Sequence, residues 1–342
     1  MRAFSGYEHG IDLGGWYSQC KHTRERYDTF ITEKDIEVIS KWGLDHIRLP
    51  IDYELVETED GSYKEEGFER IRTAIEWAGK YGLNVVLDLH KTFGFSFDSG
   101  YGEKGFFENE DYQQRFYRLW EKISEEFKGY GDSLAFELLN EVTCKEYCET
   151  WNRISRICIQ KIRAILPDVK ILIGGYYNNS IEALKDLDMP YDENIVYNFH
   201  CYSPLVFTHQ GASWVEGMDT SFRISMDLTY GEMEECARKQ CPNNAGDFRD
   251  TDRSAKMTSE YFDRYFAEAV KIAEERNVPL YCGEYGVIEN ATPEDTVKWY
   301  EIISDSFNRF KIGRAAWTYK QMDFGLTDAH LDAVRDKLIK LL

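Results

Sequence analysis

The sequence predicts a (β/α)8 TIM barrel, an α/β fold, with a subdomain inserted after the sixth strand. Three observations predict it. Eight short apolar segments recur along the 342 residues. Each is followed by residues with helical spacing. Several segments, such as Val85-Val86-Leu87, Ile171-Leu172-Ile173 and Ile195-Val196-Tyr197, are apolar without alternation. Strands buried on both faces read this way, and alternation of such strands with helices implies a closed parallel barrel.

The elements follow in order. The first two strands are expected at 10–15 and 46–51. The helix between them is expected to start at Thr32, since Thr32 to Asp35 has capping-box form. Phe68, Ile71, Ile75 and Ala78 mark a helix before the third strand, 84–90. Tyr112, Phe116, Leu119, Ile123 and Phe127 mark the next, before strand four at 134–140. Strands five and six are expected at 170–176 and 195–202. A stripe of Tyr265, Phe266, Ala269, Ile272 and Ala273 precedes strand seven, 279–286. Thr292 followed by Pro293 opens the next helix, as an N-cap with proline at the first helical position. Strand eight is expected at 314–319, and Leu331, Val334, Leu338 and Leu341 close the chain on a last helical face. The interval from about 203 to 260 is too long for one loop, and it holds four glycines, Asn243-Asn244 and many charges. It is expected to be the inserted subdomain, and its place at the barrel mouth makes it a cleft wall or a passive surface insertion.

Composition narrows the partners. A formal charge of −20 argues against nucleic acid and anionic membrane surfaces, which need clustered Lys and Arg. Neutral polymers stay open, and the default is a monomer. No apolar run is long enough to span a bilayer. The N-terminus, Met1-Arg2-Ala3-Phe4-Ser5-Gly6, has no signal-peptide apolar core. Two readings follow: a cytoplasmic protein, or a secreted one whose leader has been removed. Eight scattered cysteines read mostly as free thiols, with Cys236 and Cys241 the pair best placed to bridge.

Barrel active sites sit at the C-terminal ends of the strands. The polar residues there are Arg48, His90, Asn140, Glu141, His200, Tyr202, Glu284 and Trp317. Burying such groups is costly unless they are paired or face a cleft. Two carboxylates far apart in sequence, Glu141 and Glu284, each close an apolar run. Glycoside cleavage needs such a pair, one to donate a proton to the leaving oxygen and one to attack or to activate water. Asn140 supplies an amide that can hold a sugar hydroxyl beside them. Glu137 lies four residues before Glu141. At a strand rise near 3.3 Å it falls roughly 13 Å deeper, towards the floor, and is expected in a structural ion pair, as is Asp88. His90, His200 and Asp88 show no HxH or HExxH spacing, so no metal is expected. No phosphate-binding glycine loop occurs, and Gly174-Gly175 runs into two tyrosines. No GxSxG elbow occurs either.

These motifs resemble glycoside hydrolase family 5, the cellulase family. Ile11-Asp12-Leu13-Gly14-Gly15-Trp16, Ile47-Arg48-Leu49-Pro50, Leu87-Asp88-Leu89-His90, Phe136-Glu137-Leu138-Leu139-Asn140-Glu141, Tyr197-Asn198-Phe199-His200-Cys201-Tyr202, Gly283-Glu284-Tyr285-Gly286 and Ala316-Trp317 are similar to its successive strand motifs. The likeness is greatest to the clostridial endoglucanase C group, whose members have a similar insertion after strand six. The resemblance implies one catalytic domain over 1–342 and a retaining endo-β-glucanase acting on β-1,4 and mixed-linkage glucan, with no cofactor. It implies Glu141 as acid/base and Glu284 as nucleophile. Arg48 and Tyr202 would orient Glu284, and His200 would sit near Glu141. Asn140 would hold the sugar 2-hydroxyl, His90 would bind the same sugar, and Trp317 would stack under it. Asp12 stands where asparagine is common, and His90 is followed by Lys91; both leave fine substrate preference open. Trp16, Phe95, Tyr101 and Trp214 are candidate sugar-stacking aromatics, with Phe97, Tyr176, Tyr177 and Tyr285 also possible, and each serves equally in a core. Alternatives on the same machinery are a β-mannanase or glucomannanase and an exo-β-1,3-glucanase. A non-catalytic glycan-binding barrel and a metal-dependent hydrolase complete the set.

Overall fold

The structure, a computed structural model, describes residues 1–98, 100 and 102–342. Eight parallel strands close into a barrel in sequence order: β1 (His9–Asp12), β2 (His46–Asp52), β3 (Asn84–Lys91), β4 (Leu134–Glu137), β5 (Lys170–Ile173), β6 (Ile195–Cys201), β7 (Leu280–Tyr285) and β8 (Gly313–Ala316). β8 pairs with β1, so no sheet edge is left open. The (β/α)8 expectation holds, with strands one to three residues shorter at several C-terminal ends.

Helices form where the apolar spacing places them. Phe68, Ile71, Ile75 and Ala78 are buried on the helix Glu65–Lys80. Phe116, Leu119, Ile123 and Phe127 are buried on Glu110–Phe127, and Phe266, Ala269, Ile272 and Ala273 on Ser259–Glu275. The Thr32–Asp35 capping box is made, and Thr292 caps Pro293–Phe310 through the Asp295 amide. The connection from β5 to β6 departs from the pattern. It holds only the turn Tyr176–Asn179 and the 3-10 helix Ile181–Asp186. Asn178, Asn179 and Ser180 are residues that compete for turn conformations, and no apolar stripe favours a longer helix there.

Two apolar layers result. Between strands and helices lies the main core. Inside the barrel, Phe4, Tyr7, Val86, Ala135, Leu172, Val196, Tyr281 and Ala315 pack together. Phe4 and Tyr7, stacked at 4.3 Å, precede β1 and plug the N-terminal end. That plug leaves the other end for polar groups.

Between β6 and Ser259–Glu275 the chain forms the short helix Leu205–Thr208, the helix Tyr230–Gln240 behind a Thr229–Glu232 capping box, and the 3-10 helix Pro242–Phe248. All eight cysteines are free thiols, Cys236 and Cys241 included. Among the described residues no helix is long and apolar enough to cross a membrane.

Candidate active site

Arg48, fully buried in the third position of β2, organises the C-terminal end of the barrel. Its Nε and Nη2 donate to both oxygens of Glu137, at 2.7 and 3.0 Å. Nη1 donates to Asp12 at 2.9 Å and to Glu284 at 2.8 Å. Nη2 also donates to the Asn140 amide oxygen at 3.0 Å and lies 3.0 Å from Asp88. A guanidinium has five N–H donors in a planar fork, and this one uses all of them. Strand register supplies the partners: Asp12 lies beside Arg48 across β1–β2, and Asp88 beside Glu137 across β3–β4.

One cation cannot balance four ionised carboxylates in a buried layer. Burial pushes Asp12 well above the usual carboxylate range, raises Glu137, and lifts Asp88 to about 7. Burial opposes the charge on Arg48, but the carboxylates outweigh it and hold the arginine protonated. Arg48→Met is therefore expected to destabilise the fold by about 3–5 kcal/mol in urea titration, because it strands buried carboxyls without a counter-charge.

Glu137 sits in the expected ion pair but not at the expected depth. The same arginine reaches Glu137 and Asn140, so the two belong to one layer. Strand geometry stops at Glu137, and Glu141 has a φ of +44°, in the left-handed region. The rise of a straight strand does not apply beyond Glu137. A non-glycine residue there costs roughly 1–2 kcal/mol, which the surrounding contacts must offset.

Those contacts fix the Glu141 carboxyl. His200 Nδ1 lies 2.7 Å from Oε1, and the Asn178 amide donates to Oε2 at 2.9 Å. Burial raises the pKa of Glu141, against the Asn178 hydrogen bond. Glu284 accepts from Arg48 at Oε1 and from the Tyr202 hydroxyl at Oε2, 2.9 Å away. An irregularity in the β6–β7 ladder after Phe199 brings His200 opposite Glu284. Bulges re-aim side chains in this way. His200 Nδ1 is then 3.6 Å from Glu284 Oε2. Donor atoms of Glu141, His200 and Glu284 all lie within 4.8 Å of one another.

The neighbouring surface combines flat aromatic faces with buried polar atoms that lack a protein partner. His90 and Trp317 lie parallel, 6° apart in plane with centroids at 5.7 Å. His90 Nδ1 is held by Asp88 at 2.6 Å, while its Nε2 and the Asn140 Nδ2 are buried without a protein partner. Gly14 makes room for the indole: a Cβ there would meet the Trp317 ring at 2.6 Å. Beyond β6, His209 packs edge-on to Tyr202 and against Phe324, and Trp214, 55% exposed, stands edge-on to His209.

Two sequence candidates for stacking are elsewhere. Trp16 is 1% exposed, donates its indole N–H to Tyr27 and packs on Tyr17 and Trp77. Phe95 is buried against Phe107. Both are core residues, because the loops that carry them turn these rings inward. Phe97 instead sets its edge on His90 at 5.2 Å. Tyr176 and Tyr285 are buried, whereas Tyr177 is exposed. Tyr101 lies outside the described residues. Asn178 and Asn179 also belong to the site, outside the sequence candidates; the Asn-Asn pair after Gly174-Gly175-Tyr176-Tyr177 is their sequence signal, since asparagine tolerates left-handed turns.

A second cluster of potential metal donors, His22, Asp52 and Glu54, is already engaged. His22 contacts Tyr27 and Asp52 through its two ring nitrogens, and Lys91 pairs with Glu54. Burial opposes protonation of His22, but hydrogen bonds to Asp52 and Cys20 raise it to about 9. Both ring nitrogens of His22 are thus committed to protein partners.

The sequence pattern of the cellulase family (glycosyl hydrolase family 5) matches residues 5–323. Cellodextrinase A of Ruminococcus flavefaciens is 44% identical over 97% of this chain and 92% of its own length. Endoglucanase C of Acetivibrio thermocellus is 37% identical over 98% of both chains. The solved structure of endoglucanase Cel5A from Thermotoga maritima superposes with a TM-score of 0.76 at 23% identity, covering 99% of each chain, which speaks to the fold. By family match and by identity along its whole length, the chain belongs to the cellulase family, glycosyl hydrolase family 5, and is a glycoside hydrolase.

Proposed function

We propose that this enzyme hydrolyses β-1,4-linked glucan chains, mixed-linkage glucan and their short oligomers by a retaining double displacement. The observation that carries this reading is the pair Glu141 and Glu284, with carboxylate oxygens within 4.8 Å. Retaining enzymes hold their two carboxyls about 5–5.5 Å apart, and inverting ones leave a wider gap for water. The two environments also differ. Burial raises the pKa of Glu141, which suits a group that must hold a proton. Glu284 is gripped by a cation and a phenol.

In the first step a Glu284 oxygen bonds to the anomeric carbon. The bond to the leaving oxygen breaks, and that oxygen takes the proton of Glu141. In the second, ionised Glu141 takes a proton from water, the water oxygen bonds to the anomeric carbon, and the bond to Glu284 breaks. Asn140 and His90 face the sugar in between, and Trp317 supplies the ring beneath it. The relatives' activities, an endoglucanase and a cellodextrinase, support glucan over mannan. The same reading takes 1–342 as one catalytic domain, acting as a monomer, with the inserted stretch walling the cleft through His209 and Trp214.

Products from cellotetraose, carboxymethylcellulose, lichenan, laminarin and mannan test it. The first product from cellotetraose, followed by proton NMR, is expected as the β-anomer. Cello-oligomers or lichenan are expected to turn over faster than mannan or laminarin. Initial release of the α-anomer would rule out double displacement, and preference for mannan would rule out the substrate.

A further inference from the structure

The turn after β5 has a geometry that the reaction scheme does not use. Tyr177, Asn178 and Asn179 have φ of +52°, +57° and +55°, three consecutive residues in the left-handed region. Such runs are rare outside glycine because each costs energy. Here the turn is clamped to the segment that carries Glu141. The backbone N–H of Asn178 donates to the Val142 carbonyl at 3.0 Å and that of Tyr177 to the Thr143 carbonyl at 3.3 Å. Room is made for it as well: a Cβ on Gly174 would fall 2.2 Å from Asn179 Oδ1.

We propose that this left-handed turn is a positioning element for Glu141, in which Asn178 fixes the carboxyl through Oε2 and Asn179 fixes it one step removed, through His200. The inference rests on Glu141 being the acid/base. Asn179, fully buried, presents Nδ2 to His200 Nε2 at 3.3 Å. A neutral imidazole whose Nε2 accepts keeps its one proton on Nδ1. That proton then points at Glu141 Oε1, 2.7 Å away. Burial holds His200 down at about 4, which keeps the ring neutral. Oε1 is thus occupied by the buried His200 and Oε2 by the exposed Asn178. Each carboxyl oxygen has two acceptor positions. Asn178 fills one on Oε2 and leaves the other for the travelling proton.

The titratable and charged groups around Glu141 are Arg48 from β2, Asp88 and His90 from β3, His200 from β6, Tyr202 just after it, and Glu284 from β7. None of these comes from the turn, so a change at Asn178 leaves them in place. Loss of the amide donor removes a contact that favours the ionised form. Glu141 then keeps its proton to higher pH, and the alkaline limb of the rate profile moves upward.

The test uses Asn178→Gly, which keeps the left-handed backbone at no steric cost, and Asn178→Asp, which keeps the shape and removes the donor. Both are assayed on cellotetraose and on 2,4-dinitrophenyl β-cellobioside, whose leaving group needs no proton. For both variants kcat/KM on cellotetraose is expected to fall about tenfold, by loss of one hydrogen bond to a charged group. The alkaline limb should move upward, further for Asp, and kcat/KM on the dinitrophenyl substrate should stay near wild type. Equal losses on the two substrates, or an unmoved limb in both variants, would overturn the proposal. Glu141→Gln is run alongside. If it too is insensitive to the leaving group, the acid/base reading has failed; if Glu141→Gln is sensitive and the Asn178 variants are not, only the turn's role has failed.

Discussion

Glu284→Gln is expected to lower turnover of soluble β-glucan by at least about 10⁴-fold, as removal of a nucleophile does elsewhere. The amide keeps the size and planarity of the carboxyl. It cannot form the bond to the anomeric carbon that stores the sugar between the two steps. Folding should survive. Arg48 keeps Asp12, Asp88 and Glu137 as partners, and the buried layer loses one negative charge that it holds in excess. The melting temperature is therefore expected within a few degrees of wild type. A large loss of activity with an unchanged melting curve places the defect in the chemistry. Wild-type turnover in a pure sample would end the assignment.

Glu141→Gln is expected to behave differently, and the difference carries the information. On an unactivated substrate such as cellotetraose the loss should be about 10²–10⁴-fold, the usual contribution of general acid catalysis. On 2,4-dinitrophenyl β-cellobioside the first step needs no acid. It should proceed at close to the wild-type rate. The second step lacks its base, so the glycosyl-enzyme accumulates and dinitrophenolate appears as a burst of about one equivalent. The pH profile follows from the direction of the Glu141 shift. Burial raises its pKa, so protonated enzyme persists above the usual carboxylate range and the wild-type rate falls as pH rises through that pKa. In Glu141→Gln that alkaline fall should vanish. An equal loss of kcat/KM, which reports the first step, on both substrates would show that Glu141 matters only to folding or binding.

Much of this was legible before any coordinate. Eight apolar segments alternating with helical spacing gave away the barrel, and their polar ends gave away the site, because a strand buried on both faces has no reason to end in Asn-Glu or His-Cys-Tyr unless that end meets solvent or a site. Arg48, Glu141, His200, Tyr202 and Glu284 were found this way; hydrogen bonds tie Arg48 and Tyr202 to Glu284, and His200 to Glu141. What stayed hidden depends on backbone direction after a strand ends. Glu137 was placed too deep because the chain turns at Glu141, where φ is +44°. Phe95 and Phe97 share one loop and cannot be told apart by spacing; only the former turns into the core. Trp16 sits in the most recognisable motif of the chain, yet Tyr17, Tyr27 and Trp77 enclose it. The role of Asn178 needed a left-handed turn to be seen in place, and propensity alone only says that asparagine tolerates one.

The most direct measurement is trapping. The enzyme is incubated with 2,4-dinitrophenyl 2-deoxy-2-fluoro-β-cellobioside, digested, and sequenced by tandem mass spectrometry. One fluoro-cellobiosyl group per protein, on the peptide that carries Tyr281-Cys282-Gly283-Glu284 and localised to Glu284, is the result expected of the double displacement. Inactivation with the sugar on any other residue, or turnover of the substrate with no adduct formed, would contradict it.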